Sequence, residues 1–207
     1  MADNCRKPVI GLTGGIGAGK SLVARQLEGM GCGVINADLL AKRALEHPTV
    51  KCRLVSWWGA QVLDEHGRVN RLRVAELVFD RPDELARLEG LIHPRVHRGR
   101  RALRRSYGGD HSFKAIVEDC PLLLEKRLDA DCDVVIFVAS EVNVRFRRLA
   151  STRNWTAEDL VRREKNQLPL DIKAQRADYV IDNNAGEGDC LSHVRSVFFQ
   201  VLRTFNT

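Results

Sequence analysis

The sequence lacks the segments that would place it in a membrane or carry it out of the cell. It has no run of about 18 apolar residues, the length that spans a bilayer as a helix, and residues 1–8 lack the apolar centre of a signal peptide. It also has no C-x-x-C pair among its six scattered cysteines, so we expect neither a disulfide framework nor a zinc site. The sequence therefore predicts a cytoplasmic protein with no membrane partner, whose cysteines are mostly small buried side chains.

Little in the composition is unusual for a globular protein. Hydrophobic residues make up 44% and charged residues 29% of the 207 positions. Because a chain of this length can bury a sizeable core, we predict one domain of moderate size, with room for inserted subdomains. The net charge of +6 leaves an anionic partner open.

Residues 14–21 match the phosphate-loop pattern G-x-x-x-x-G-K-S, between an apolar stretch, 9–13, and a helical one, 22–30. Glycines allow a tight turn in which backbone N–H groups point inward around phosphates, and the following helix adds the positive end of its dipole. A glycine-rich turn that matches by chance would lack these two neighbours. The candidate nucleotide-binding residues are Gly14, Gly15, Ile16, Gly17, Ala18, Gly19, Lys20, Ser21 and Leu22.

Two side chains of this motif suit nucleotide chemistry directly. The Lys20 amine can reach the β- and γ-phosphates, and the Ser21 hydroxyl can bind Mg²⁺. The sequence therefore predicts a nucleoside triphosphate and Mg²⁺ at this loop.

Strands and helices alternate along much of the chain, which predicts a parallel sheet with helices on both faces, an α/β fold. The predicted strands are 9–13, 33–36, 113–118, 134–138 and 179–181. The predicted helices are 20–30, 38–46, 141–152, 157–168 and about 188–204.

The stretch between the second and third predicted strands, about 38–111, is too long for a simple crossover and is mostly helical by pattern. We predict that it is an inserted helical subdomain. A proline disfavours helix at the residue before it. The expected internal boundaries are His47-Pro48, the turn 64–67, Arg81-Pro82 and His93-Pro94.

A second insertion precedes the last predicted strand. Its helix, 157–168, has few apolar positions, and it begins where Thr156 and Asp159 can form a capping box. Such a helix buries little, so we predict a mobile lid over phosphates at about 148–176, with an ordinary surface helix as the alternative. Nearby arginines favour the lid: Arg145, Arg147, Arg148 and Arg153.

Asp38 follows the second predicted strand, at the sheet edge where ligands of open α/β sheets bind. A carboxylate there can accept the proton of an attacking hydroxyl and orient it toward the γ-phosphate. The alternative is that Asp38 only caps the next helix. The absence of an N-K-x-D tetrapeptide disfavours a GTPase, and residues 116–119 match the strand motif of motor ATPases only in part.

The strongest local charge is a group of six arginines between positions 95 and 105, with His93 and His97 beside them. An apolar stripe at helical spacing runs through the same segment. The segment is therefore either a helix with a buried face and a solvated basic face, or a surface for an anionic ligand. That ligand could be a nucleic acid or a phosphorylated small molecule, and composition does not separate the two.

The motifs resemble those of dephospho-coenzyme A kinases, in the same order from residue 11 to residue 184. Residues 11–21 are similar to that family's phosphate loop. The tripeptide Asn36-Ala37-Asp38 stands where the family has Asp-Ala-Asp, and the second aspartate of the family is catalytic. The resemblance thus points to Asp38.

Three further segments carry the resemblance. Residues 88–96 are similar to the family's Leu-Glu…His-Pro-x-Val segment, and residues 119–125 are similar to its Pro-Leu-Leu-Phe-Glu signature. Near the end of the chain, its Gln…Lys…Ala-Asp-x-Val-Ile-x-Asn run is matched by Gln167, Lys173, residues 177–181 and Asn183.

The resemblance implies a P-loop kinase fold and transfer of a phosphoryl group from ATP, with Mg²⁺, to the ribose 3′-hydroxyl of dephospho-coenzyme A. It implies catalytic roles for Asp38, Lys20, Arg148 and Arg153. The acceptor would contact Asp38, His93, Arg95, Pro121 and Leu122.

The same resemblance implies a division of labour along the chain. The core would comprise about 8–37, 112–147 and 177–205, the insertion at 38–111 would bind the acceptor, and 148–176 would form the lid. We expect a monomer or weak oligomer that binds ATP and dephospho-coenzyme A and no nucleic acid.

Three positions depart from the family pattern. Leu22 replaces a threonine, Asn36 replaces the first aspartate, and the second lid arginine is displaced by one residue, from the position of Thr152 to Arg153. We expect the helix to end before Thr152, so that a loop carries Arg153 to the phosphates beside Arg148. The alternative is that Arg148 acts alone.

Two other functions remain open at this point. A kinase for another nucleoside or a small alcohol would share the loop, Asp38 and the lid, but not the match around His93-Pro94. A nucleic-acid-binding P-loop protein would use the basic segment 95–105.

Overall fold

A computed structural model describes residues 6–165 and 167–205 of the chain. These residues contain one five-stranded sheet with the order β2-β3-β1-β4-β5. Its strands are β1 (Val9–Gly14), β2 (Cys32–Asn36), β3 (Ala115–Asp119), β4 (Val134–Ala139) and β5 (Tyr179–Asp182). Each strand begins and ends within two residues of a predicted segment. The predicted five-stranded α/β fold is confirmed.

The central strand β1 leads directly into the phosphate loop. Every residue of β1 is buried, as expected for an apolar strand with a neighbour on each side and helices on both faces. β1 pairs in parallel with β3 and β4, so that Leu12 lies opposite both Asp119 and Ile136. The carboxyl ends of these strands therefore meet at one edge of the sheet, where residues 14–21 turn into the first helix.

Helices complete the described chain. They are α1 (Lys20–Gly29), α2 (Ala37–Leu45), α3 (Pro48–Trp58), α4 (Arg71–Val78), α5 (Pro82–Gly109), α6 (Val142–Arg153), α7 (Ala157–Glu164), α8 (Leu170–Gln175) and α9 (Glu187–Phe205). Apolar residues of α1 and α9, among them Leu27 and Phe198, form the main core with β1 and β4. Within the described residues, no helix combines the length and the apolar content that a bilayer crossing needs.

The chain divides into two compact units. The first contains the sheet and comprises the chain up to Ile35 and from Arg104 onward, and the second is Asn36–Leu103. The second unit has an apolar core of its own, in which Val50, Leu54 and Val62 are fully buried. Helix α5 begins in the second unit and its last residues, from Arg104, belong to the first, where the Arg104 guanidinium donates to the Glu118 carboxylate on β3 at 3.1 Å.

Three prolines were expected to mark helix boundaries, and two of them do. Helix α3 begins at Pro48 and helix α5 at Pro82, as predicted. The boundary expected at His93-Pro94 is wrong, since Pro94 lies inside α5. A proline inside a helix removes one backbone hydrogen bond. One residue further on, the Arg95 side chain donates to the carbonyl oxygen of Leu91 in the preceding turn, at 3.1 Å.

The predicted lid helix is shorter than expected. The Thr156–Asp159 capping box is confirmed, with Asp159 N donating to Thr156 Oγ1 at 3.2 Å. The helix ends at Glu164 and not at 168. Pro169 disfavours helix at Leu168, whose N–H donates instead to the Glu125 carboxylate at 2.9 Å.

Candidate active site

The phosphate loop adopts a backbone conformation that two of its glycines require. Gly17 and Gly19 have φ angles of 77° and 91°, in the left-handed region that side chains rarely adopt. A Cβ at Gly17 would lie 2.9 Å from Leu149 Cδ1, and a Cβ at Gly19 would overlap the side-chain amide of Asn183. The loop thus packs closely against α6 and against Asn183, the residue that follows β5.

Two backbone carbonyl groups of the loop accept hydrogen bonds from side chains outside it. Arg145 Nη1 donates to Ile16 O at 3.1 Å, and Asn183 Nδ2 donates to Ala18 O at 2.7 Å. In a planar trans peptide the carbonyl and the following N–H point in opposite directions. The N–H groups of Gly17 and Gly19 therefore point away from Arg145 and Asn183, toward the inside of the loop, as an anion site requires.

The start of α1 adds to this site. Its N-cap is Gly19, no side chain caps it, and its first turn contains no acidic residue. The positive dipole end of α1 therefore meets no carboxylate from its own first turn and favours an anion. Lys20 Nζ donates to the carbonyl oxygens of Gly14 and Gly15, at 3.0 and 3.1 Å, so the ammonium group lies across the loop.

Ser21 and Leu22, which follow Lys20 in α1, differ in their surroundings. Ser21 is exposed, and its hydroxyl makes no hydrogen bond with the residues that the structure describes. Leu22, where the family pattern has a threonine, packs against the main core. The departure at position 22 therefore exchanges a hydroxyl for apolar packing.

Arg148 lies at the loop. It is half-buried, and its guanidinium donates to Asn183 O at 2.9 Å and to Ser140 Oγ at 3.1 Å. The nearer guanidinium nitrogen would be 3.7 Å from a Cβ at Gly19. The structure thus places Arg148 beside the glycine-rich loop.

Arg153 has different surroundings. The expectation that the helix ends before Thr152 is wrong, because α6 continues to Arg153 and ends at Asn154, which has a φ of 53°. The Ser151 and Thr152 hydroxyls donate to the carbonyl oxygen of Arg148, at 3.1 and 2.6 Å, and so are satisfied without breaking the helix. The Arg153 guanidinium is exposed and stands 5.2 Å from the centre of the Trp155 ring.

Asp38 belongs to the second compact unit, in the first turn of α2. The alternative that it caps this helix is wrong, since Asn36 is the N-cap and accepts from Leu39 N at 2.8 Å. Asparagine caps a helix as well as aspartate does, which accounts for the departure at position 36. Asp38 is exposed, and its carboxylate has no hydrogen bond or ion pair with any residue in the described part of the chain.

The other predicted acceptor residues are distributed over both units. In the second unit, His93 Nε2 is 4.0 Å from a Glu89 carboxylate oxygen, and Arg95 Nη2 donates to Thr49 Oγ1 at 2.7 Å. In the first unit, the half-buried Pro121 and Leu122 follow β3.

A buried cluster unites three residues of the sequence resemblance. The Lys173 side chain is fully buried, and its Nζ lies 2.7 Å from Glu125 Oε1 and 3.0 Å from Gln167 Oε1. A buried ammonium group needs such partners. The resemblance singled out these residues without a role, and the structure shows that they attach the segment after α7 to the segment after β3. The sequence signal for this buried cluster was a single lysine, Lys173, among the apolar residues of α8.

Arg104 of the basic segment forms an ion pair with Glu118, which lies in the stretch that partly matches the motor ATPase motif. Only 1% of the Glu118 side chain is exposed. Arg100 is buried as well, whereas Arg98, Arg101 and Arg105 are exposed. The basic segment is therefore a helix with both buried and solvated arginines.

The cysteines that the structure describes are free thiols, and no cluster of metal-ligating side chains occurs among the described residues. Cys32, Cys120 and Cys190 are buried, and Cys52 is exposed. Burial raises the pKa of the Cys32 thiol to about 12, which keeps it protonated and unreactive. Cys5 lies outside the described residues.

Comparisons with known proteins agree on one family. A sequence model described as dephospho-CoA kinase matches residues 8–189. The dephospho-CoA kinase of Leptospira interrogans is 37% identical over 195 residues, which cover 94% of this chain and 93% of the relative.

Two solved structures share the fold of this chain. The Thermus thermophilus protein TT1252 superposes with a TM-score of 0.80 and 31% identity, covering 95% of this chain and 98% of that one. Dephospho-CoA kinase from Campylobacter jejuni, with a TM-score of 0.70, 20% identity and coverage of 96% and 98%, shares the fold. The chain belongs to the dephospho-CoA kinase family.

Proposed function

We propose that the chain transfers the γ-phosphoryl group of ATP to the ribose 3′-hydroxyl of dephospho-coenzyme A, releasing ADP and coenzyme A. Membership of the family makes the chain an ATP-dependent kinase, and the phosphate loop is the observation that supports the proposal. Its carbonyls are held outward by Arg145 and Asn183, so its N–H groups are directed at a bound polyphosphate.

Three groups at the loop would bind the phosphates of ATP: its N–H groups, the start of α1 and the Lys20 ammonium. The N–H groups of Gly17 and Gly19 donate hydrogen bonds to the β-phosphate, and the start of α1 adds its positive dipole end. The Lys20 ammonium exchanges the carbonyl oxygens of Gly14 and Gly15 for phosphate oxygens. Charge developing on the transferred group is then stabilised by groups that need little rearrangement.

Mg²⁺ fits the same site. The exposed Ser21 hydroxyl, one position after Lys20, has no other partner among the described residues and can supply an oxygen ligand, which is the type that Mg²⁺ prefers. Mg²⁺ bound between Ser21 and the phosphates would neutralise their negative charge.

Asp38 is the proposed general base. Its carboxylate is exposed and is not used to cap α2, because Asn36 does so. It can therefore accept the proton of the 3′-hydroxyl as that oxygen attacks the γ-phosphorus. We assign the acceptor contacts to Asp38, His93, Arg95, Pro121 and Leu122.

The lid arginines complete the proposal. Arg148 is at the loop and stabilises the charge of the transferring group. Arg153 acts with it only after leaving the Trp155 ring. We further propose that the chain works in the cytoplasm, as a monomer or weak oligomer, without nucleic acid or membrane.

A coupled assay of ADP release tests the proposal. Dephospho-coenzyme A is compared with adenosine, pantetheine and single-stranded RNA at equal concentration, each with ATP and Mg²⁺. We expect turnover with dephospho-coenzyme A alone, and mass spectrometry of the product should show one added phosphate. Faster turnover with adenosine would contradict the acceptor assignment. RNA-stimulated ADP release that collapses as salt rises would favour a nucleic-acid-dependent ATPase.

A further inference from the structure

Arg145 lies beside the phosphate loop, and in the proposed reaction it touches neither ATP nor the acceptor. Only 4% of its side chain is exposed. Nη1 donates to Ile16 O at 3.1 Å and forms an ion pair with Glu164 Oε1, and Nε donates to Ser140 O at 3.2 Å. One guanidinium group therefore contacts the phosphate loop, the end of β4 and the last residue of α7.

Glu164 is unfavourably placed for a carboxylate without this partner. It is the final residue of α7, at the negative end of the helix dipole, where cations and not anions are stabilised. The ion pair with Arg145 offsets that repulsion. In return, Glu164 supplies the counter-charge that a nearly buried arginine needs.

The planar guanidinium fixes the directions of its hydrogen bonds. Because Nη1 serves both Ile16 O and Glu164, a shift of α7 away from the loop would pull on the group that orients the Ile16–Gly17 peptide. That peptide directs the Gly17 N–H into the phosphate site. The position of α7 and the geometry of the loop therefore both depend on the contacts of Arg145 Nη1.

We propose that Arg145 is a positioning residue that couples α7 to the phosphate loop through Glu164, so that ATP affinity depends on the place of this helix. The proposal rests on the proposed binding of ATP at the loop. It assigns Glu164, some distance along the chain from the motif, an effect on nucleotide binding and none on the acceptor.

Glu164→Gln tests the coupling, because it removes the charge and keeps the shape. Its matched control is Glu158→Gln, the same change at an exposed site in the first turn of the same helix. The readouts are the dissociation constant for ATP, the KM values for both substrates, and hydrogen exchange of the amides in 16–19 and in α7.

For Glu164→Gln we expect the ATP dissociation constant to rise about three- to tenfold, the difference between a charge-assisted and a neutral hydrogen bond. The KM for dephospho-coenzyme A should stay within about twofold, since the change acts on the nucleotide side. Exchange should accelerate in α7 and in 16–19 together. Glu158→Gln removes a charge that favours the start of α7, so it can accelerate exchange in α7, but it should leave the ATP dissociation constant, both KM values and exchange in 16–19 unchanged.

A second set of variants separates coupling from a loss of folding. Arg145→Gln should weaken ATP binding more than Glu164→Gln, and the double variant, which leaves no uncompensated carboxylate, should match Arg145→Gln within about twofold. Arg147→Gln, an exposed change on the same helix, is the control. Additive losses in the double variant would overturn the coupling.

The result for the wild-type chain keeps this inference apart from the proposed function. If the wild-type chain does not bind ATP, the proposed function itself is wrong. If it binds ATP and Glu164→Gln binds equally well, or if exchange accelerates in α7 alone, the coupling is overturned and the kinase assignment stands.

Discussion

Asn183 donates its side-chain amide to the carbonyl oxygen of Ala18 at 2.7 Å. The same residue accepts, through its own backbone carbonyl, a hydrogen bond from Arg148 at 2.9 Å. A single buried asparagine after β5 therefore supports both the phosphate loop and the arginine beside it. It leaves no space for a side chain at Gly19.

Gly19→Ala should abolish detectable ATP binding and lower the free energy of unfolding by about 1–3 kcal/mol, because φ is 91° and the new Cβ overlaps Asn183. Isothermal titration with ATP and chemical unfolding measure the two effects. Gly29→Ala, on the open side of α1, is the control and should raise stability by up to about 1 kcal/mol. Unchanged ATP affinity in Gly19→Ala would contradict the loop geometry.

Asp38→Asn should keep the melting temperature and the ATP dissociation constant of the wild-type chain, because Asp38 is exposed and does not cap α2. It should lower kcat by about 10²–10⁴-fold, since an amide cannot accept the hydroxyl proton. Steady-state kinetics with dephospho-coenzyme A give the result. A kcat near the wild-type value would remove Asp38 from the mechanism.

The cap itself is tested at the neighbouring residue. Asn36→Ala removes the acceptor for Leu39 N and should cost about 0.5–2 kcal/mol of stability, whereas Asn36→Asp should be close to neutral. Urea unfolding at neutral pH compares the two variants. Equal stability of all three proteins would show that α2 does not depend on this cap.

Lys20→Ala should raise the KM for ATP and lower kcat together, because the ammonium group contacts phosphates in the ground state and in the transition state. Initial rates over a range of ATP concentrations separate the two parameters. A change in KM alone, with kcat intact, would limit Lys20 to ground-state binding.

Arg148→Ala should lower kcat/KM for ATP by about 10²-fold or more, as expected for loss of a charge that stabilises the transferring group. Arg153→Ala tests whether the displaced arginine takes part, and Arg147→Ala is the exposed control on α6. Our proposal predicts a lower kcat for Arg153→Ala with an unchanged melting temperature. Kinetics identical to those of Arg147→Ala would make Arg153 a bystander held on Trp155.

A thiol reagent at pH 8 should label Cys52 rapidly and Cys32 only after unfolding. The Cys32 pKa of about 12 lies above the ordinary value of 9.0, so its protonated form stabilises the fold fully below pH 9, and this contribution is lost as pH rises toward 12. A Cys5→Ser background simplifies the mass-spectrometric mapping. Activity should not depend on a reducing agent, and loss on mild oxidation with recovery by thiol would contradict this.

The strands and the phosphate loop were predictable because each has a short-range signal. Val9–Gly14 is an unbroken apolar run, and the glycines that follow leave few alternatives to a phosphate loop. Asp38 could be singled out in the same way, from its place after a strand.

The partners of the buried charges were not predictable from local signals. Arg145 and Glu164 are 19 residues apart, and Lys173 and Glu125 are further apart still. Nothing in the periodicity indicates which arginine of 145–153 faces inward. The helix boundary predicted at Pro94 is wrong for a related reason, because apolar residues of α5 on either side of it, among them Leu91 and Val96, pack in the core of the second unit and outweigh the local preference of proline.

The uncapped start of α1 has a consequence for the whole protein. Its N-cap, Gly19, has no side chain with which to cap the helix, and a bound polyphosphate can supply negative charge at this positive end. Nucleotide and fold are then linked by mass action, with about 2.7 kcal/mol of added stability at a free ligand concentration of 100 times the dissociation constant. The resistance of this protein to heat and proteolysis would therefore follow the supply of ATP around it.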